Sequence, residues 1–125
     1  MYSIDLSGQS GIIFGIANDR SIAWSIFQIL HQAGARLSIA YQNERLKGRI
    51  ERLVQGMGDI PLLECDVNND NDIESAFQTI NREFGSLNIL VHSIAYAQKE
   101  DLGGKFSLTE RSGFNTALET SAYSL

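Results

Sequence analysis

Four short apolar runs, separated by longer segments of helical period, constrain this chain more than any other feature. The runs are Ile12–Phe14, Leu37–Tyr41, Pro61–Cys65 and Leu87–His92, and Ser21–Ala33, Asn43–Gln55 and Asn69–Phe84 lie between them. Runs of this kind read as strands, the first of them buried, and each intervening segment has room for about three or four helical turns. Strands joined through helices pair in parallel by right-handed crossovers. The expected fold is therefore α/β, a doubly wound parallel sheet. Punctuation agrees with the periods. Gly34 and Gly85 follow the first and third helical segments, where a left-handed residue is wanted, and Asn69 is placed to cap the third. A last segment, Leu108–Leu125, carries Phe114, Ala117, Leu118 and Ala122 at helical spacing and predicts a fourth helix, while Ala97–Lys105 reads as a loop. There is no internal repeat or low-complexity tract.

In such a sheet a ligand sits at the carboxyl ends of the strands, where the strand order reverses. The first strand ends at Gly15, and the first helix opens at Ser21. A phosphate there would meet free backbone amides and the positive end of the helix dipole. Gly15 permits close backbone approach, Ala17 nearly so, Ser21 offers a hydroxyl, and Ile22 offers a first-turn amide. The turn lacks the usual glycine-rich pattern, so a tight-turn glycine and a plain helix cap stand beside this reading. The second strand ends at Gln42, where a dinucleotide fold commonly holds the adenosine ribose; a solvated loop residue is the alternative. At the third, Asp66 is placed to accept from an adenine amino group and the Val67 amide to bond a ring nitrogen, unless Asp66 only closes a turn. Asp72, in the following helix, is expected to face water. Ser93, Ile94 and Ala95 follow the fourth strand and would lie beneath the ribose and nicotinamide, with Ser93 as a turn former the plainer reading. Four strand ends in order offer suitable groups.

Composition narrows the partners. Ten basic against 15 acidic residues give a net charge of −5 with no long block, unlike the basic stripe of a nucleic-acid binder. Cys65 is the only cysteine, which favours a reducing, cytoplasmic setting. The opening residues "MYSIDLSGQSG" show no signal-peptide pattern, and no apolar run is long enough to span a bilayer. No metal-ligating constellation is expected. His31 reads as a surface or packing residue, His92 as a satisfied core histidine, and Trp24 and Phe27 as core.

The pieces "GIANDRSIAW", "YQNERLKGR", "CDV", "LVHSIAYA" and "GFNTALETSAYSL" together resemble the N-terminal half of a bacterial or plastid-type enoyl-acyl-carrier-protein reductase. This is a divergent branch of the short-chain dehydrogenases/reductases. It replaces the glycine-rich turn with one Gly, a five-residue spacer and a Ser-Ile-Ala helix start, as this chain does. The resemblance covers essentially the whole chain and implies a single, incomplete NAD-binding domain of Rossmann-like type over residues 1–125. It places Gly15, Ser21 and Ile22 at the pyrophosphate, Gln42 at the adenosine ribose, Asp66 and Val67 at the adenine, and Ile94 on the nicotinamide side, where the strand-end reading also puts Ser93. It places Ala97 where substrate or inhibitor touches the backbone. It further implies an acyl-carrier-protein-linked enoyl substrate, a homotetramer and a role in fatty-acid synthesis.

Reducing an enoyl thioester builds negative charge on the thioester oxygen, which needs a donor. In the family this is a Tyr with a Lys seven positions on, expected beyond Leu125. Tyr2, Tyr41, Tyr96 and Tyr123 have no such lysine, and Tyr96 with Lys99 has the wrong spacing. The chain is thus expected to carry a cofactor half-site without the catalytic pair, and to be inactive alone. NADH is expected over NADPH, because Gln42, Asn43 and Glu44 stand where a 2′-phosphate needs a cation and Arg45 is the nearest one. Another short-chain dehydrogenase, or a non-catalytic dinucleotide-binding module, remains an alternative.

Overall fold

The structure, a computed structural model, describes residues 3–125, so Tyr2 lies outside the described residues. Its elements run β1 (Ser10–Phe14), α1 (Ile22–Gln32), β2 (Arg36–Tyr41), α2 (Glu44–Leu53), β3 (Leu62–Glu64), α3 (Asp70–Phe84) and β4 (Ile89–His92). Two short 3-10 turns follow, Lys99–Leu102 and Phe106–Leu108, then α4 (Arg111–Leu118), which widens into a π turn at Glu119–Tyr123. The chain forms two compact units, one ending at Ser93 and the other spanning Ile94–Leu125.

In the first unit all four strands are parallel, in the order β3-β2-β1-β4. Successive crossovers from β1 to β2 to β3 step outward one way, and the β3-to-β4 crossover returns past β1 to its other side. With one hand of crossover, that reversal puts α1 and α2 on one face and α3 on the other. The side chains agree. Ile13, Leu37, Ile39 and Tyr41 join Trp24 and Phe27 of α1 and Ile50 of α2 in one buried cluster. Phe14, pointing the opposite way, stacks on Phe77 of α3 at 6.5 Å. Burial on both faces is why all five residues of β1 are buried.

The expected strands and helices are present, with ends set by side-chain hydrogen bonds. β1 starts two residues early because Asn88 Oδ1 accepts from the Ser10 amide (3.0 Å), and Ser10 Oγ donates to the Ser86 carbonyl. Asn43 caps α2 by accepting from the Arg45 amide, and Asn69 caps α3 by accepting from Asn71 and Asp72. Gly85 ends α3 at φ 75°, the left-handed conformation its position called for. His31 packs as expected, its ring 5.8 Å from Phe27 and its Nε2 3.2 Å from the Met57 carbonyl oxygen.

The second unit departs from expectation. Leu108–Leu125 is not one helix: Thr109 and Glu110 are extended, so α4 begins only at Arg111. Leu108 instead donates to the Lys105 carbonyl, closing a tight turn. The Ala97–Lys105 loop contains the first 3-10 turn. Nor are Phe114 and Leu118 a buried face; the buried positions are Gly113 and Thr120.

Phe27 is wholly buried and stacks on Trp24 at 5.3 Å, between α1 and the sheet. Phe27→Ala should destabilise the protein by about 3–5 kcal/mol, read from urea unfolding, because α1 cannot collapse into the space while Trp24 and His31 hold their positions.

Candidate functional site

The strand order reverses at β1, so the crevice lies where the carboxyl ends of β1 and β4 diverge. Two residues define it. The Ser93 amide donates to the Phe14 carbonyl (3.1 Å), carrying the β1–β4 ladder one step beyond the strands. Gly15 then turns away at φ +106°, and a Cβ on it would land on the Ser93 carbonyl. The sequence offers this glycine two roles, close approach of a pyrophosphate and a tight turn. In the structure a side chain is already excluded by the neighbouring strand end, as the tight-turn reading requires.

The turn that follows is closed on itself. Ile16 is buried and anchors it, while Ser21 Oγ accepts from the amides of Ala17 (2.9 Å) and Asn18 (3.1 Å). Asn18 Oδ1 accepts from the Arg20 amide, and the Ser21 amide donates to the Asn18 carbonyl. Ser21 stands at the N-cap of α1 but makes no side-chain bond to the helix. Its oxygen faces back into the turn. The hydroxyl proton therefore remains available as a donor beside the positive end of α1, next to the first-turn amide of Ile22.

At the end of β2, Tyr41 is buried and Gln42 exposed. Burial pushes the Tyr41 phenol up, partly offset by Lys47, so it stays neutral. Glu44 and Lys47 form an i,i+3 pair at 3.9 Å, and Arg45 is exposed. At the end of β3, Asp66 Oδ1 accepts from the Asn68 amide, closing a turn. Its own amide donates to Asp72 Oδ2 at 3.0 Å. This corrects the expectation that Asp72 faces water: the first turn of α3 folds its carboxylate back onto the strand end. The turn-closing reading of Asp66 is observed at Oδ1. Val67 beside it is half-buried.

In the first unit Gly15, Gln42, Asp66, Val67 and Ser93 follow the carboxyl ends of the four strands, and Ser21 and Ile22 open α1 after the first of them. Ile94 and Ala97 belong to the second unit. There Ala97 lines an open apolar cleft of about 630 Å³ with Tyr96, Leu102, Phe106, Phe114 and Leu118. Ser121 Oγ accepts from the Tyr96 amide (2.8 Å) and donates to its carbonyl (3.1 Å), and Asp101 lies against Gly113 of α4. Among the described residues, no group of three His, Cys, Asp or Glu side chains could hold a metal, and no helix is long and apolar enough to cross a membrane.

The sequence pattern of the enoyl-(acyl carrier protein) reductase family matches residues 15–125. The chain belongs to this family. It is 44% identical over 125 residues to enoyl-(acyl-carrier-protein) reductase (NADH) FabI of Nostoc sp., covering 98% of this chain and 48% of that protein. The crystal structure of the enoyl-(acyl-carrier-protein) reductase (NADH) from Aquifex aeolicus superposes with a TM-score of 0.91 at 40% identity, over 95% of this chain and 52% of that one. The Bacillus cereus reductase, crystallised with NADP+ and an indole naphthyridinone, gives 0.92 at 40% identity, over 97% of this chain and 48% of that one. The chain spans about half the length of the relatives it matches.

One residue at the turn escaped the sequence reading. Arg49 of α2 donates from Nη1 to the Ala17 carbonyl at 3.2 Å. Arg49 is exposed and sits one position before the buried Ile50, so no local pattern marked it; the bond depends on the fold bringing α2 beside the turn after β1.

Gly15→Val should be among the most damaging single changes in the first unit. The positive φ alone costs about 1–3 kcal/mol for a side chain, before the collision with Ser93, and a large loss of thermal stability is expected in a melting experiment. Cys65 should be inert. Burial, reinforced by Asp72 and Asp66, pushes its thiol from 9.0 up to about 11, so a thiol reagent at pH 8 should label only unfolded protein. Because the folded pKa is the raised one, the thiol's contribution to stability is fully present below pH 9.0 and is lost as pH rises towards about 11. Urea midpoints of wild type and Cys65→Ala measured across that window should converge at its upper end.

Proposed function

We propose that this chain is the nucleotide-binding part of an NADH-dependent reductase of the trans-2 double bond in enoyl-acyl-carrier-protein. Residues 1–125 act as one incomplete NAD-binding domain in this reading. The observation that carries it is the Ser21-centred turn at the strand-order reversal. Its oxygen is committed to two backbone amides, which leaves a proton and the α1 first-turn amides as the donor set that a pyrophosphate requires. Membership of the reductase family supports the same chemistry.

The residues present fit a dinucleotide. Ser21, Ile22 and the bend at Gly15 would take the pyrophosphate, Gln42 the adenosine ribose, and Asp66 Oδ2 and the Val67 amide the adenine. Ser93 and Ile94 would take the nicotinamide side, and Ala97 the substrate. When bound, the cofactor supplies a hydride to the β-carbon of the enoyl thioester. The chain's own part is to fix that cofactor along the strand ends and to exclude side chains from the bend at Gly15. A Tyr and a Lys, supplied by residues that follow this stretch in the family, stabilise the enolate oxygen.

For the choice of cofactor, Glu44 and the exposed Gln42 stand at the end of β2, and Arg45 has its backbone amide in the Asn43 cap with its side chain exposed. That arrangement supports NADH over NADPH. The net charge of −5, with no long basic block, argues against a nucleic-acid partner. A cytoplasmic homotetramer without membrane attachment completes the proposal.

The full-length protein should oxidise NADH in the presence of a crotonyl thioester, with a lower KM for NADH than for NADPH, followed by absorbance at 340 nm. Asp66→Ala should weaken NADH binding by on the order of 1–2 kcal/mol, the worth of one ligand hydrogen bond. NADH binding without oxidation would point to a binding module, and equal affinity for the two cofactors would overturn the NADH assignment.

A further inference from the structure

The peptide joining Ala17 to Asn18 is gripped at both ends. Its N–H, on Asn18, points to Ser21 Oγ at 3.1 Å, and its C=O, on Ala17, accepts from Arg49 Nη1 at 3.2 Å. In a trans peptide these two groups point in opposite directions, so the bonds oppose rotation of the same plane. The plane also governs Ser21. With amides 17 and 18 both directed at it, Oγ has its acceptor directions filled and its proton is turned away from them. Were the plane to rotate, the Asn18 amide would leave Ser21, and the hydroxyl could turn to other partners.

Arg49 has further qualifications. It reaches the turn from a different element, α2, so it ties the segment after β2 to the segment after β1. Among the described residues its guanidinium has no carboxylate partner, and the Ala17 carbonyl is its one directed contact. Its neighbours Leu46, Ile50 and Leu53 pack into the core cluster and fix the helix from which it projects.

We infer that Arg49 is a positioning residue for the cofactor: by holding the Ala17–Asn18 peptide, it sets the direction in which Ser21 donates. This rests on the reading of the turn as the pyrophosphate site. In this inference the guanidinium acts through the backbone, by its bond to the Ala17 carbonyl.

The test uses the full-length protein with Arg49→Met, which keeps the methylene stem, and Arg49→Lys, which keeps charge and a donor. Arg52→Ala, an exposed arginine of the same helix with no bond to the turn, serves as the control. Arg49→Met should raise KM for NADH by about three- to tenfold with kcat within about twofold, the scale of one exposed charge-assisted hydrogen bond. Arg49→Lys should recover most of the loss, and the melting temperature should stay near that of wild type. In a Ser21→Ala background the Arg49→Met effect should largely vanish, because the group it positions is gone. Hydrogen exchange of residues 16–21, measured without cofactor, should speed up in Arg49→Met and not in Arg52→Ala. Unchanged exchange would overturn the inference even if NADH did not bind. So would an Arg49→Met effect that persists undiminished beside Ser21→Ala, or one matched by Arg52→Ala. Faster exchange with no NADH binding by wild type would instead overturn the reading of the site and leave Arg49 as the holder of the turn.

Discussion

The contact between the ends of β1 and β4 is the constraint on which the rest of the first unit depends. β1 is the central strand, paired with β2 on one side and β4 on the other, and at Phe14 it still bonds to Ser93. One residue later the chain must leave the sheet while β4's own exit occupies the space beside it. Gly15 resolves the conflict by having no side chain to place and by adopting a backbone conformation that other residues resist. Everything downstream inherits the direction of that bend, including the height at which Ile16 enters the core and the angle at which α1 starts.

Ser21 shows how a familiar residue can be used in reverse. A serine at a helix N-cap ordinarily accepts from the second or third amide of the helix, quenching its free donors. Here the oxygen accepts from the preceding turn, and no side-chain cap is made. The first turn of α1 keeps its donors, and the loop before it gains the rigidity that a glycine-rich turn usually obtains from tight backbone geometry. The turn, with Gly15 as its one glycine, is thereby held by a side chain. The same economy appears at β3, where Asp66 and Asp72 divide the tasks of closing the turn and holding the strand-end amide.

Legibility in the sequence followed the reach of the physics involved. Short apolar runs announce strands by composition, and caps such as Asn69 and Gly85 act within a few residues, so both could be read directly. β1 was longer than read, because Ser10 is held by Ser86 and Asn88, residues some seventy-six or more positions away. α4 was shorter, since apolar spacing across Leu108 continues through two extended residues that interrupt the helix. At the site, the residue types at the strand ends were readable, but the reason for Gly15, the inward turn of Asp72 and the reach of Arg49 all depend on which elements the fold brings side by side. No local pattern encodes those.

The reciprocal bonds between Ser121 and Tyr96 span 25 residues of chain. They act as a clasp at the base of a ring that contains the cleft-lining loop, both 3-10 turns and α4. A ring closed at its base by one side chain separates two evolutionary burdens. The clasp can be kept while the tip is lengthened, shortened or rewritten, since loop closure cost rises only slowly with ring size. A change in the length of the tip therefore adds little to the cost of closing the ring.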